Sequence, residues 1–332
     1  MRAMVINRFG GADVFEAATV PKPTAGAGEV VIKVEASSVN PVDYKIRAGR
    51  IPFLVPSYPA ILHADAAGTI DEVGSGVSGF EVGDRVMSFA TGMVGKPGAL
   101  AEYMAADARM IAKIPRSLSF EEAAALPLVG VTSWYDIVEA GGASPDKSIL
   151  IMGGTGGVGH IALQLAKWKG AFVAAACGTD EKCDLATKLG ADAVINYRMA
   201  EREDYEKLAP GGRGFDVVFN TPGRPSVNEA VAAAAFEGMI IDILGEFPTE
   251  PGFQMKWLSF KSTFAGHEIL FGTNPARIGE ILSELAKLAG TGSLTPILDP
   301  NRFPFSEVGA AHHFAEHGNP VGKVVLFQDL SG

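Results

Sequence analysis

Residues 149 to 168, Ile-Leu-Ile-Met-Gly-Gly-Thr-Gly-Gly-Val-Gly-His-Ile-Ala-Leu-Gln-Leu-Ala-Lys-Trp, read as a buried strand, a glycine-rich turn and a helix. Gly154, Gly156 and Gly159 match G-x-G-x-x-G, and Gly153, Gly156 and Gly159 match the looser G-x-x-G-x-x-G. Glycine lets such a turn take positive φ and bring backbone N–H groups against phosphate oxygens, and the helix behind it adds its positive N-terminal end. Glycine makes up 40 of the 332 residues, so the motif by itself discriminates little. Its surroundings select it: the apolar run Ser148 to Met152 before the turn, and Ile161, Leu163, Leu165 and Ala166 after it, are what a dinucleotide pyrophosphate cradle demands.

On the C-terminal side of this unit, strand and helix patterns alternate. A helix over Glu181 to Leu189 follows a strand over Phe172 to Ala176, and strands at Ala193 to Ile195 and Phe215 to Asn220 lead to a helix near Ser226 to Ala235 and a strand at Met239 to Leu244. Such alternation predicts right-handed crossovers and a parallel sheet. On the N-terminal side, β-type segments at Ala3 to Ile6, Glu29 to Ser38, Ala66 to Val73, Arg85 to Phe89 and Ala101 to Ala105 are punctuated by Gly and Pro and predict an antiparallel barrel. Ser119-Phe120-Glu121-Glu122 reads as a capping box, and a further helix is predicted at about Thr132 to Glu139. A helix at Pro275 to Ala289 and strands at Phe303 to Phe305 and Lys323 to Gln328 close the chain, and these last strands are expected to return to the first domain.

A formal charge of −10 with no long Lys/Arg run argues against nucleic acid or an anionic membrane surface as the main partner, so an anionic cofactor must be held by local groups. Two cysteines, Cys177 and Cys183, exclude a disulfide scaffold and a four-cysteine zinc lobe. The N-terminus lacks the apolar stretch of a signal peptide, and no run reaches the roughly 18 apolar residues of a membrane span, so a soluble cytoplasmic protein is expected. Cys177 ends a strand and is read as a small packed residue. His312, His313 and His317 are expected on a surface helix.

Several segments, in order, resemble the medium-chain dehydrogenase/reductase superfamily and, within it, the zinc-independent quinone oxidoreductase (zeta-crystallin-like) family. They are Ser38-Val39-Asn40-Pro41-Val42-Asp43, Ala67-Gly68 with Val73-Gly74, Gly83-Asp84-Arg85-Val86, Ala124-Ala125-Leu126-Pro127 with Thr132-Ser133-Trp134, the glycine turn, Leu189-Gly190-Ala191-Asp192 with Asn196-Tyr197, and Gly322-Lys323-Val324-Val325. The resemblance implies an α/β chain in which a GroES-like β-barrel catalytic domain, 1–123 with 268–332 returning to it, is interrupted by a Rossmann doubly wound parallel-sheet domain, 124–267. It also implies an active cleft between the two and a homodimer. Zinc-dependent relatives carry a cysteine at the Asn40 position and Gly-His-Glu where this chain reads His63-Ala64-Asp65. His63 and Asp65 alone seldom make a closed tetrahedral site, so no metal is expected.

The second strand of the dinucleotide unit ends Ala176-Cys177-Gly178-Thr179, without the Asp or Glu that accepts ribose hydroxyls in NAD enzymes. Thr179 offers a hydroxyl and Lys182 a cation to a 2′-phosphate, and Lys182 and Tyr197 fall where relatives grip that phosphate, so NADPH is the expected cofactor. Asp180 and Glu181 oppose this unless they cap the helix or face solvent. The expected cofactor set is Thr132, Gly153, Gly154, Thr155, Gly156, Gly157, Val158, Gly159, Thr179, Lys182, Tyr197, Asn220, Leu244, Gly245 and Lys323.

By family position, Asn40 and Thr132 face the nicotinamide and substrate carbonyl, Asp43 organises the same loop, and Tyr44 or Lys45 lies on the substrate side. The candidate catalytic residues are therefore Asn40, Asp43, Lys45 and Thr132. The resemblance implies an NADPH-dependent reductase of quinones or of the C=C bond of α,β-unsaturated carbonyls. The alternatives are a trans-2-enoyl thioester reductase, which needs a basic groove for its carrier, and an NADPH-binding protein with a mainly non-catalytic role. The chain departs from relatives at Asn220, where a carboxylate is usual, and in the bulky loop Glu246 to Trp257.

Overall fold

The computed structural model describes residues 1–330, so the last two residues of the expected returning segment lie outside the described residues. The chain forms two compact units, Met1–Val131 with Gly266–Gly332, and Thr132–Ala265. The first unit opens with β1 (Arg2–Ile6) and β2 (Phe15–Thr19), an antiparallel pair. Then follow β3 (Glu29–Ser38), α1 (Pro41–Arg47), β4 (Asp65–Val73), β5 (Arg85–Phe89), β6 (Tyr103–Asp107), β7 (Ile111–Lys113) and α2 (Phe120–Ala124). The capping box is formed as expected, with Ser119 N donating to Glu122 Oε2 at 2.7 Å and Glu122 N to Ser119 Oγ at 3.1 Å. α2 packs on β3 and β4, which is why the first unit extends past residue 123 and ends inside α3 (Pro127–Ser133).

The second unit continues from α3 into a π-helical stretch, Trp134–Ala140, closed by Gly141 N donating to Asp136 O at 2.8 Å. The helix predicted at Thr132 to Glu139 thus begins at Pro127 and widens into π geometry, a winding that hydrophobic periodicity does not distinguish from α. β8 (Ser148–Met152), α4 (Gly159–Trp168), β9 (Phe172–Cys177), α5 (Asp180–Lys188), β10 (Ala193–Asn196), α6 (Asp204–Lys207), β11 (Phe215–Asn220), α7 (Val227–Ala233), β12 (Ala234–Asp242), α8 (Pro251–Met255) and β13 (Ser259–Ser262) follow. The sheet order β10-β9-β8-β11-β12-β13, parallel throughout, is doubly wound and reverses between β8 and β11. All five residues of β8 are buried, as befits a central parallel strand covered on both faces. The first unit then resumes with α9 (His267–Phe271), α10 (Pro275–Gly290), β14 (Phe303–Pro304), α11 (Val308–His317) and β15 (Val325–Phe327).

In the first unit the sheet runs β14-β15-β3-β4-β5-β7, with β6 also on β3. β4 and β15 are both antiparallel to β3, pairing Ala66 with Ser37 and Val325 with Ser38. The C-terminal end of β3 therefore lies beside the starts of β4 and β15, and the segments leading into those strands converge there. Ile32, Ile46, Leu62, Met87, Phe89 and Phe305 are fully buried in this unit, each contributing roughly 1.5–3 kcal/mol of apolar burial.

Candidate functional site

The convergence at the end of β3 builds the first site. Asn40 caps α1 and is followed by Pro41, a residue suited to a first helical turn. Its backbone N–H donates to Asp43 Oδ2 at 2.7 Å, so the two candidate residues are locked by the helix start itself. Lys323, just ahead of β15, sends its ammonium inward to Val39 O at 3.0 Å, Asn40 Oδ1 at 2.5 Å and Asp65 Oδ2 at 3.4 Å. Asn40 Nδ2 donates to Asp65 Oδ2 at 2.8 Å. An ammonium only donates and a carboxylate only accepts, so the orientation of the Asn40 amide is set by its partners. Asp65 also accepts from Ser38 Oγ at 2.8 Å and Leu128 N at 2.7 Å. Asn40, Asp43, Asp65 and Lys323 are all buried. Burial pushes the Asp43 carboxyl up to about 7, helped by the negative charge of Asp65 and opposed by the Asn40 N–H and Lys323, and burial lowers the Lys323 amine.

Lys323 is expected at the cofactor; here its three N–H bonds meet three protein acceptors and its side chain is 3 % exposed. Lys45 and Tyr44, on the same helix as Asp43, are half-buried, and burial raises the Tyr44 phenol.

One correction concerns the histidines. His313 and His317 are exposed, but His312 is fully buried, on the inner face of α11. Its Nε2 faces His63 Nε2 at 2.8 Å, its Nδ1 lies 3.2 Å from an Arg47 guanidinium nitrogen, and Arg47 also bonds Glu316 at 2.7 Å. His63 Nδ1 lies 2.9 Å from Ser37 Oγ, which donates to Asp65 O at 2.7 Å. His63 adopts φ 74°, an unusual conformation for a non-glycine residue, and both ring nitrogens are engaged by protein. Among the described residues no three His, Cys, Asp or Glu side chains group as a metal site.

The second site is the glycine turn at the C-terminal end of β8. Gly153 has φ +75°, and a Cβ on Gly159 would lie 2.1 Å from Gly153 O. Only glycine allows that approach between the turn and the start of α4. The amides of Gly153 and Gly154 donate to Ala176 O at 3.0 and 3.1 Å, and Gly156 N donates to Gly153 O at 2.9 Å. These three glycines shape the cradle rather than donate from it. Among the described residues, the backbone N–H groups of Thr155, Gly157 and Val158 meet no acceptor, and they suit an anion at the head of α4. Thr155 is buried, with its hydroxyl against the Cys177 thiol; Cys177 is a packed residue whose thiol burial pushes up to about 12.

At the end of β9, Thr179 caps α5, accepting from Lys182 N at 3.3 Å, and its hydroxyl holds the Glu181 carboxylate. Asp180 accepts from Asn196 Nδ2 at 2.8 Å. Both acids therefore serve the helix start and the neighbouring strand. A Cβ on Gly178 would lie 2.6 Å from the Tyr197 hydroxyl, which places that phenol directly over the strand end. Lys182, in the first turn of α5, is half-buried.

Across the switch point, Asn220 is fully buried and its side chain is spent within the protein. Its Nδ2 donates to Gly223 O at 3.0 Å and Asp242 Oδ2 at 2.7 Å, and its Oδ1 accepts from Ser226 Oγ at 2.7 Å. Asn220, expected at the cofactor, braces the loop with its side chain. Asp242, which sequence reasoning missed, accepts from Leu244 N at 2.8 Å and Glu246 N at 3.0 Å and so shapes the loop carrying Leu244 and Gly245. The only signal was a carboxylate closing an apolar strand. Thr132 is buried at the start of the second unit, beside Ser133, whose Oγ donates to Val158 O at 3.2 Å.

Comparison with known proteins agrees with both halves. A model described as alcohol dehydrogenase GroES-like domain matches residues 26–116, and one described as zinc-binding dehydrogenase matches residues 157–269. The 2-methylene-furan-3-one reductase of Solanum lycopersicum is 34% identical over 98% of this chain and 79% of its own. The chloroplastic NADPH-dependent alkenal/one oxidoreductase of Arabidopsis thaliana is 33% identical over 98% of this chain and 79% of its own. Escherichia coli quinone oxidoreductase, solved in complex with NADPH, superposes with a TM-score of 0.87 at 28% identity, covering 98% of this chain and 100% of that one. A GroES-like unit and a doubly wound dinucleotide unit in one chain define a medium-chain dehydrogenase/reductase, an oxidoreductase. Within that superfamily the chain belongs to the quinone oxidoreductase family.

Proposed function

We propose that this protein is an NADPH-dependent reductase of quinones or of the C=C bond of α,β-unsaturated carbonyls, and that it works without zinc. The observation that carries the cofactor is the glycine cradle, where a Cβ on Gly159 would collide with Gly153 and where, among the described residues, the amides of Thr155, Gly157 and Val158 have no acceptor, next to a β9 that ends in Cys177 rather than a carboxylate and has Tyr197 and Lys182 beside it. Thr155, Gly157 and Val158 would hold the pyrophosphate, and Lys182 and Tyr197 the 2′-phosphate. NADPH supplies the hydride when bound. The acceptor class is supported by the relatives from tomato and Arabidopsis, whose names specify a methylene-furanone and alkenals or enones.

The chain's own residues then have limited tasks: orient the acceptor, exclude water and polarise its oxygen. Asn40 offers an amide N–H to a carbonyl oxygen that gains negative charge, and Asp43, pushed up to about 7 by burial, exchanges a proton around neutral pH. Asn40 in place of a thiolate supports a zinc-free reading. β13 is one of the two open edges of its sheet, with Phe236, Met255 and Trp257 exposed nearby, and this supports pairing with a second copy. The test is oxidation of NADPH and NADH in chelator-treated buffer against paired panels of 1,4-quinones and 2-alkenals or 2-enones. NADPH turnover on either panel is expected, and NADPH binding without turnover on both would overturn the reading.

A further inference from the structure

We infer that Lys323 is the positioning cation of the Asn40 site, fixing the Asn40 carboxamide with its oxygen inward and holding the Asp43 and Asp65 carboxyls around one buried positive charge. Three observations carry it. The register of β15 on β3 places the segment entering β15 against Asn40, with Val39 N donating to Val324 O at 2.9 Å. The ammonium reaches Val39 O, Asn40 Oδ1 and Asp65 Oδ2, so its three hydrogens are used where it stands and none is left for a phosphate. The two side chains it touches, Asn40 and Asp65, are themselves buried and bonded to each other at 2.8 Å, so the cation closes one buried polar network.

The consequence for chemistry is specific. With Oδ1 held by an ammonium, the amide presents its nitrogen and not its oxygen to an acceptor carbonyl; without Lys323 the Asp65 carboxylate alone is left to set that orientation. The charge of Lys323 also opposes the burial that raises Asp43, so its removal drives the Asp43 proton to higher pH.

The inference rests on the reductase reading only for its kinetic arm. Lys323→Met and Lys323→Arg are compared with wild type by three readouts: NADPH affinity, steady-state kinetics, and titration of the Asp43 carboxyl by carbon-13 NMR of aspartate-labelled protein, assigned with Asp43→Asn. For Lys323→Met the expectation is NADPH affinity within about twofold of wild type, kcat reduced at least about tenfold, and an Asp43 titration displaced to higher pH, with partial recovery of each in Lys323→Arg. Weakened NADPH binding with an unmoved Asp43 titration would make Lys323 a cofactor ligand and overturn the inference. Should Lys323→Met fail to fold because Asp65 is stranded, Lys323→Met with Asp65→Asn is compared with Asp65→Asn alone, so that the Asp43 titration and NADPH affinity still report the loss of the Lys323 charge by itself. If wild type reduces no acceptor, the reductase reading falls, and the NMR and binding arms still decide the role of Lys323.

Discussion

His63 and His312 meet Nε2 to Nε2 at 2.8 Å inside the first unit, and their partners fix which ring carries which proton. Arg47 can only donate, so His312 Nδ1 accepts and its Nε2 is protonated; His63 Nε2 then accepts, and its Nδ1–H donates to Ser37 Oγ, whose own proton goes to Asp65 O. This directed chain requires both rings to be neutral. Burial lowers His63 to about 3, with Lys323 adding to the effect, and burial, His63 and Arg47 together hold His312 well below the ordinary histidine range.

A folded state that keeps both histidines neutral loses stability on acidification. The unfolded chain gains these protons near pH 6.5, while folded His63 resists until about 3, so the stabilisation is full above about pH 6.5 and falls away toward pH 3. Each histidine contributes a slope of up to about 1.4 kcal/mol per pH unit in this window. Chemical unfolding followed from pH 7.5 to 4 should show that slope in wild type and a shallower one in His312→Gln, which keeps a polar group but cannot charge. Parallel pH profiles for the two proteins would refute the assignment.

Asp136 predicts the opposite dependence. It is fully buried in the π-helical stretch, neither carboxyl oxygen meets a hydrogen-bond partner of good geometry, and burial pushes it up to about 7 against the pull of Thr263 and Lys261. Its folded value lies above its unfolded one, so its contribution is present below about pH 4 and is lost as pH rises toward 7. Asp136→Asn should therefore stabilise the protein by on the order of 2 kcal/mol at pH 8 and by little at pH 4. Differential scanning at the two pH values decides this, and a uniform loss of stability would show that the carboxylate is needed charged.

The sheet patterns and the glycine turn were legible because hydrophobic period and glycine content report backbone geometry directly. β3, β5 and β11 begin and end where the apolar runs do. The π-helical stretch was not legible, since its apolar spacing resembles that of an α-helix. Nor were the polar networks. Asn40 and Asp43 are three residues apart and follow a local helix-start pattern, but Lys323 lies far along the chain from Asn40, and His312 equally far from His63; only the pairing of β15 with β3 and the packing of α11 bring them together. Asn220 shows the same lesson in reverse: a residue at a ligand-facing strand end can be consumed by its neighbours Asp242 and Ser226.

The cradle predicts a contrast between two glycines of one motif. A methyl at Gly159 would meet the backbone of Gly153 at 2.1 Å, whereas one at Gly156 would stand 3.3 Å from the same carbonyl. Gly159→Ala must open the turn and should weaken NADPH binding at least about tenfold in a fluorescence titration, a cost of about 1.4 kcal/mol or more. Gly156→Ala should cost less than about threefold. Equal effects would mean that the turn is not held by the contact between Gly153 and Gly159.

Selection of the phosphorylated cofactor is predicted to lie at Lys182. Lys182 stands in the first turn of α5 and the Tyr197 phenol lies over the end of β9, while Asp180 accepts from Asn196. A charge-assisted hydrogen bond to a phosphate is worth roughly 1.5–3 kcal/mol. Lys182→Ala should therefore raise the NADPH dissociation constant by about 10- to 100-fold and change that of NADH by less than about threefold, with Tyr197→Phe intermediate. Measured by titration calorimetry with both cofactors, a parallel loss for NADH would place Lys182 on the part of the cofactor the two share, and selection would then have to come from backbone amides of the glycine turn.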